Sequence, residues 1–404
     1  MLKSFLKFHI IPLIASVVLV FFALYLLNSY SSFKENVEEK VISGKQTKID
    51  GRYGTLANQG EEGELNYFAS IENKNQLTIF GSSELSESEY VPYNFLTAKK
   101  NVQILGLGHA YHQNLPILIE LLATHKINKG SDICILISPG WFENGGGTNT
   151  KAFVEFARPN FLDRIYSTKE IPNKYKLHLA KYVFDNESNF NGVSKTMKLY
   201  SDLYKSQKSS HVVDMMNSKI KNNCLSNILA TSSKQVEYKP ELINPQKVKN
   251  NFRINYDSIS NQLQKAFLEK SKGNKLYVND EYYNKWLLDE NGKERSFSLK
   301  QIDLSSNKEL ADFEILMDYI KSRKMNASFV IIPYNPYYYK NTETFLPLID
   351  KLESIIKTNN YPCLNLYVTE KEAYEPGTLK DVMHFGDYGW MKVNQFLESI
   401  YYHE

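Results

Sequence analysis

Residues 77–85 read Leu77-Thr78-Ile79-Phe80-Gly81-Ser82-Ser83-Glu84-Leu85. A short apolar run ending on glycine is the pattern of a buried strand followed by a tight turn. The pattern recurs along the chain: residues 102–105 end at Gly106 and Gly108, 133–137 stop at Ser138-Pro139-Gly140, 328–332 stop at Pro333, and 364–368 follow. Between these runs the spacing becomes helical. Leu115, Leu118, Ile119, Leu121 and Leu122 predict a helix over about 110–125, and further helices are predicted over about 346–357 and 388–402. Strands alternating with helices predict an α/β fold with a parallel sheet covered on both faces.

The composition agrees with a packed core. The chain has 404 residues, 42% hydrophobic and 23% charged, with a net charge of +3. A polytopic membrane protein would be more apolar, a disordered chain would lack these 28 Tyr and 22 Phe, and a disulfide scaffold needs more than 3 Cys. Cys134 and Cys363 lie in apolar strand-like runs and read as small buried hydrophobes, and Cys224 lies in a polar helical stretch. His109 and His112 form an HxxH spacing without a nearby Cys or an acid in ligand spacing, so no metal or other cofactor is expected.

One segment departs from this average. From Ile10 to Leu27 no charge occurs, and the next charged residue is Lys34. Such a run is long enough to cross a bilayer as a helix, and the small-x-small site of a cleaved signal peptide is missing. Pro12 is tolerable in a first helical turn. Lys3 and Lys7 precede the run while mixed charges follow it, which predicts a cytoplasmic N-terminus and an extracytoplasmic body. The expected organisation is a tail and anchor over 1–33, a polar stalk over 34–74 and a catalytic domain over 75–404. Within that domain a largely helical insertion is expected over about 144–326. Residues 151–250 hold 17 Lys and Arg against 9 Asp and Glu, leaving 31 against 36 in the rest, so a basic insertion sits on an acidic scaffold. Either this is a solvated face or it meets a polyanion.

Two loops carry the chemistry. The carboxyl ends of parallel strands are where α/β proteins place their sites, and Gly81 permits a turn that projects the next side chains outward. A serine there can attack an acyl carbon, and its backbone N–H can stabilise the resulting oxyanion. The second loop is Asp381-Val382-Met383-His384-Phe385-Gly386-Asp387-Tyr388-Gly389-Trp390, just before the last helix. A carboxylate three residues ahead of an imidazole can hold its tautomer while the other ring nitrogen faces a hydroxyl. Asp387 stands where an N-cap belongs, which leaves Asp381 as the orienting acid.

Serine after the first strand and Asp-x-x-His before the last helix resemble the SGNH hydrolase superfamily. More narrowly, the chain resembles the DltD family of D-alanyl-lipoteichoic acid biosynthesis proteins of Gram-positive bacteria. The resemblance rests on the anchor, Gly81 to Leu85, Ser138-Pro139-Gly140-Trp141-Phe142, Pro333-Tyr334-Asn335 and the 381–390 loop. It implies an SGNH-hydrolase-like (flavodoxin-like) sheet with Ser83 as nucleophile, His384 as base and Asp381 as its orienter. It further implies D-alanyl transfer to the polyglycerol phosphate of lipoteichoic acid, the donor being passed on by the membrane-bound O-acyltransferase of the pathway, with no nucleic acid partner. Gly106 or Gly108 could supply the superfamily's oxyanion glycine. Its Gly-x-Asn-Asp block is missing, and Ser138-Pro139-Gly140-Trp141 stands there instead.

Asn144 either replaces the missing amide or shapes the 145–147 turn, and Asn335 either lines the cleft or forms a turn. Trp141 is a further substrate-side candidate. Glu84 could hold the ammonium of a D-alanyl ester, or it could be an acid favoured at a helix start. Two other readings remain: a different surface O-acetyl esterase or acyltransferase with the same triad, and a non-catalytic anchored adaptor.

Overall fold

The computed structural model describes residues 16–23, 25–26, 76–85, 88–100, 102–108, 110–157, 159–186, 198, 201–202, 204–205 and 253–402. The expected stalk, Cys224, His109 and most of the basic 151–250 excess lie outside the described residues. Of the apolar run, 16–23 and 25–26 are helical and exposed. No helix among the described residues is long and apolar enough to cross a membrane.

The chain forms two units, one of residues 47–156 and 240–404 and the other of 1–46 and 157–239. The first holds a parallel sheet of β1 (Gln76–Gly81), β2 (Gln103–Gly108), β3 (Asp132–Ile137), β5 (Asn326–Ile331) and β7 (Cys363–Asn365), in the order β2-β1-β3-β5-β7. A small parallel pair, β4 (Phe297–Ser298) and β6 (Tyr339–Lys340), lies apart from it. The chain leaves β1 for β2 on one side and then crosses to β3 on the other. The sheet therefore reverses between β1 and β3, and the carboxyl ends of those strands open a crevice there.

Alternation along the strands supplies both faces. Leu77, Ile79, Ile104, Cys134, Leu136, Val330 and Ile332 pack with Phe95 and Leu96 of α1 (Pro92–Lys100) and with Trp390, Met391, Val393 and Leu397 of the last helix. Thr78, Phe80, Leu105, Leu107, Ile133, Ile135, Phe329 and Ile331 are buried on the opposite face. There α2 (Asn114–Ala123) packs against a later helix, Lys308–Ser322, whose Phe313 ring meets Phe329 at a centroid distance of 6.2 Å. The closing helix is Asp387–Tyr401, and Leu346–Thr358 joins β5 to β7.

The stretch expected as an insertion divides between the units. Lys308–Ser322 and Tyr256–Lys270 belong with the sheet, where the latter packs on the closing helix. The other unit contains Pro159–Ser167 and Asn173–Asp185. Within it the buried Lys176 ammonium donates to the carbonyls of Tyr166 (3.1 Å) and Thr168 (2.7 Å), supplying positive charge to the end of the preceding helix.

Candidate active site

Ser83 stands two residues beyond the end of β1, exposed on the turn, while its neighbours Ser82 and Glu84 are buried. The turn is packed against β2. A Cβ on Gly108 would lie 2.6 Å from the Gly81 carbonyl oxygen and 2.7 Å from Leu85 Cδ1, so only glycine permits this approach. Gly106 is tight for a different reason: a Cβ there would meet the Tyr93 ring at 2.7 Å. Both glycines thus have a packing role at the positions expected to serve an oxyanion.

The loop after β7 brings the histidine to this turn. His384 Nε2 lies 3.2 Å from Ser83 Oγ, and Nδ1 lies 2.8 Å from Asp381 Oδ2. The other oxygen of Asp381 accepts from the backbone N–H of Met383 (2.9 Å) and of His384 (2.8 Å). Residues 301 positions apart are joined by this contact because β1 and the final loop open at the same edge of the sheet. Asp381 is 5% exposed. Burial pushes its carboxyl up, but the His384 hydrogen bond and charge, with the two backbone donors, outweigh this and hold it below the usual carboxylate range. The hydrogen bond to Asp381 raises His384 against the effect of burial, aided by the charges of Asp381 and Glu84.

The loop is held in place by its own backbone and by packing. Lys380 N–H donates to the His384 carbonyl (2.9 Å) and Gly386 N–H to that of Thr378 (2.9 Å), while the Phe385 ring packs at a tilt against the fully buried Trp390, centroids 4.7 Å apart. Gly389 allows the helix to begin against the loop, since a Cβ would lie 2.2 Å from the Thr378 carbonyl oxygen. The helix start differs from expectation. Gly386 is the N-cap, and Asp387 is the first helical residue, its Oδ1 accepting from the Ser88 hydroxyl at 2.7 Å. An acid in this first turn suits the helix dipole and ties the two loops together.

Glu84 faces inward. Its Oε2 accepts the Ser82 N–H at 2.8 Å, and its own N–H and the Ser138 hydroxyl also donate to the carboxylate. Burial raises its pKa despite these donors and the charge of His384. Among the described residues no helix begins at this turn, the next starting at Pro92, so the dipole explanation of Glu84 finds no support there. Ser138, at the end of β3, was legible in the sequence only as a strand stop.

Asn335 is fully buried and its side chain is committed, donating to the Leu276 carbonyl (2.8 Å) and accepting from Tyr337 N–H (2.9 Å). Its backbone N–H reaches the Val382 carbonyl at 3.4 Å, so Asn335 braces the histidine loop as a turn residue. Trp141 is buried at 6% exposure. Asn144 is exposed with a left-handed φ of 54° ahead of Gly145, which matches the turn-shaping role. His112 is likewise committed, to Gly81 and Glu120. Among the described residues no group of three or more His, Cys, Asp or Glu could hold a metal ion. Cys134 is buried as expected, whereas Cys363 is only half-buried; burial pushes both thiols up to about 12, disfavouring the thiolate.

An exposed serine hydroxyl, a ring nitrogen within reach and a carboxylate on the opposite nitrogen are the parts needed to deprotonate an alcohol during attack on an acyl carbon. The sequence model of the DltD protein family matches residues 55–402. Protein DltD of Staphylococcus aureus (strain NCTC 8325 / PS 47) is 23% identical over 383 residues, which cover 93% of this chain and 91% of that protein. Protein DltD of Bacillus subtilis (strain 168) is 23% identical over 350 residues, 82% of this chain and 83% of that protein. The chain belongs to the DltD family.

Proposed function

We propose that the chain performs an acyl-transfer step in the D-alanylation of teichoic acids, the process in which its family works, using Ser83, His384 and Asp381 on an SGNH-hydrolase-like scaffold. The observation that carries the reading is the unbroken line from Asp381 Oδ2 through the His384 ring to Ser83 Oγ, at 2.8 Å and 3.2 Å.

In the proposed reaction His384 Nε2 takes the proton of Ser83 as Oγ bonds to the carbonyl carbon of a D-alanyl ester or thioester. The proton then passes to the departing alcohol or thiol, leaving D-alanine esterified to Ser83. A hydroxyl of the glycerol phosphate chain attacks this ester, gives its proton to His384, and Ser83 leaves with that proton. Asp381 stabilises the imidazolium that forms within each of the two steps, before its proton passes to the leaving group. Backbone N–H groups of the nucleophile turn and of Gly106 or Gly108 are the proposed oxyanion donors.

The body would stand outside the membrane on the apolar run of residues 10–27, receiving D-alanine from the membrane-bound acyltransferase of the pathway. The deciding experiment is Ser83→Ala in cells, scored by ester-linked D-alanine on teichoic acid. Loss of the ester and a D-alanyl mass on Ser83 of the parent chain support the reading. An unchanged ester level overturns it in favour of an adaptor, and rapid hydrolysis of simple acetyl esters without D-alanyl transfer favours a different surface esterase.

A further inference from the structure

The proposed reaction makes no use of His112, yet this side chain is among the most constrained near the site. Its ring is 2% exposed, with Nδ1 2.9 Å from the Gly81 carbonyl oxygen and Nε2 3.0 Å from Glu120 Oε2. Glu120, on α2, is 1% exposed. A carbonyl oxygen only accepts, so Nδ1 carries a proton, and Nε2 shares a second proton with the Glu120 carboxyl group. Burial opposes the charge, but Glu120, the bond to Gly81 and the charge of Glu84 together raise the His112 pKa.

The surroundings make this pair costly. The ring lies against Phe156 at 5.1 Å and Phe80 at 6.2 Å, where well-packed apolar side chains would serve stability about as well as a buried acid–base pair. What the pair supplies that apolar residues could not is a fixed donor to one oxygen. That oxygen belongs to Gly81, the last residue of β1 and two before Ser83. The next peptide N–H, of Ser82, is held by Glu84. The nucleophile turn is thus gripped at successive backbone groups, by the His112 ring on its carbonyl and by the Glu84 carboxyl group on its N–H.

We propose that His112, held by Glu120, is a positioning residue that fixes the Gly81 carbonyl and with it the direction in which Ser83 leaves β1. This rests on Ser83 being the nucleophile. The test uses the full chain and a fluorophosphonate, whose fluoride is displaced when Ser83 Oγ bonds to phosphorus, together with turnover of a short p-nitrophenyl ester. His112→Phe combined with Glu120→Leu removes both polar partners and leaves neither unpaired, so the fold is expected to persist. Labelling should slow about tenfold, and kcat should fall by the same factor with KM unchanged. Glu120→Gln keeps a hydrogen-bonding group on Nε2 but removes the acid that shares its proton, so it should lower the melting temperature and, per folded molecule, slow labelling about threefold. Parental labelling rates in either folded variant overturn the positioning role. Labelling that persists in Ser83→Ala instead overturns the assignment of the nucleophile.

Discussion

Asp381 grips His384 twice: one carboxylate oxygen lies 2.8 Å from the ring Nδ1, and the other accepts the backbone N–H of the same residue at 2.8 Å. The ring is therefore oriented and its peptide anchored by one side chain. Asp381→Asn should reduce the labelling of Ser83 by about 10³-fold, because an amide donor facing Nδ1 favours the wrong tautomer.

The pH dependence of the parent follows from the same pair. His384 acts as base only when neutral, and its raised pKa places the rise of the acylation rate above the usual histidine midpoint. In Asp381→Asn that midpoint should move to lower pH, as a pH–rate profile would show. Stability changes in two windows. Asp381 has a lowered folded pKa, so its contribution is present above its unfolded value and lost as pH falls through the folded one. His384 has a raised folded pKa, so its contribution is present below its unfolded value and lost as pH rises through the folded one. Urea titrations should show the parent's advantage over Asp381→Asn greatest between those windows.

Gly389 tests whether the histidine loop must be seated closely. A Cβ would stand 2.2 Å from the Thr378 carbonyl oxygen, a backbone atom that cannot rotate away. Gly389→Ala should cost more than about 2 kcal/mol in denaturant unfolding and reduce Ser83 labelling further than this loss of folded protein explains. Equal stability with slower labelling would place the strain in the loop alone, and parental values of both would show that the loop shifts freely.

Much of this arrangement was legible because it follows from short-range rules. Apolar runs stopped by glycine or proline marked four strands of the main sheet, while β7, without such a stop, ends at Asn365, short of the expected Val368; the strand-end serine and Asp-x-x-His spacing marked residues that the fold brings together. Other features were hidden because they depend on partners distant in sequence. The α1 helix, with Phe95 and Leu96 buried, was obscured by a preceding run of Ser and Glu. Lys308–Ser322 was absorbed into the expected insertion, although its buried face packs on α2. The glycine roles, the committed amide of Asn335 and the His112–Glu120 contact depend on atoms from other elements that no local spacing reveals.

Glu84 separates two roles by substrate choice. As a partner for the substrate ammonium, its loss should selectively reduce turnover of D-alanyl esters relative to neutral acyl esters. As a clamp on the turn, it should affect both alike, and its burial and three donors lead us to expect the second result. Glu84→Gln places an amide N–H where a donor must be accepted, so acylation should fall about tenfold for both substrates. The ratio of kcat/KM values for the two esters decides between the roles.

The excess of 17 Lys and Arg over 9 Asp and Glu in residues 151–250 bears on the acceptor. If this segment attracts polyglycerol phosphate, association is driven by charges whose reach is about 10 Å at 0.1 M salt and about 3 Å at 1 M. Binding of the full chain to purified lipoteichoic acid should then weaken at least tenfold over that range, and removing D-alanine from the polymer should strengthen it by restoring net negative charge. Replacing six of these lysines with glutamine should flatten the salt dependence while leaving fluorophosphonate labelling of Ser83 unchanged. Binding that is insensitive to salt would instead assign acceptor recognition to uncharged contacts.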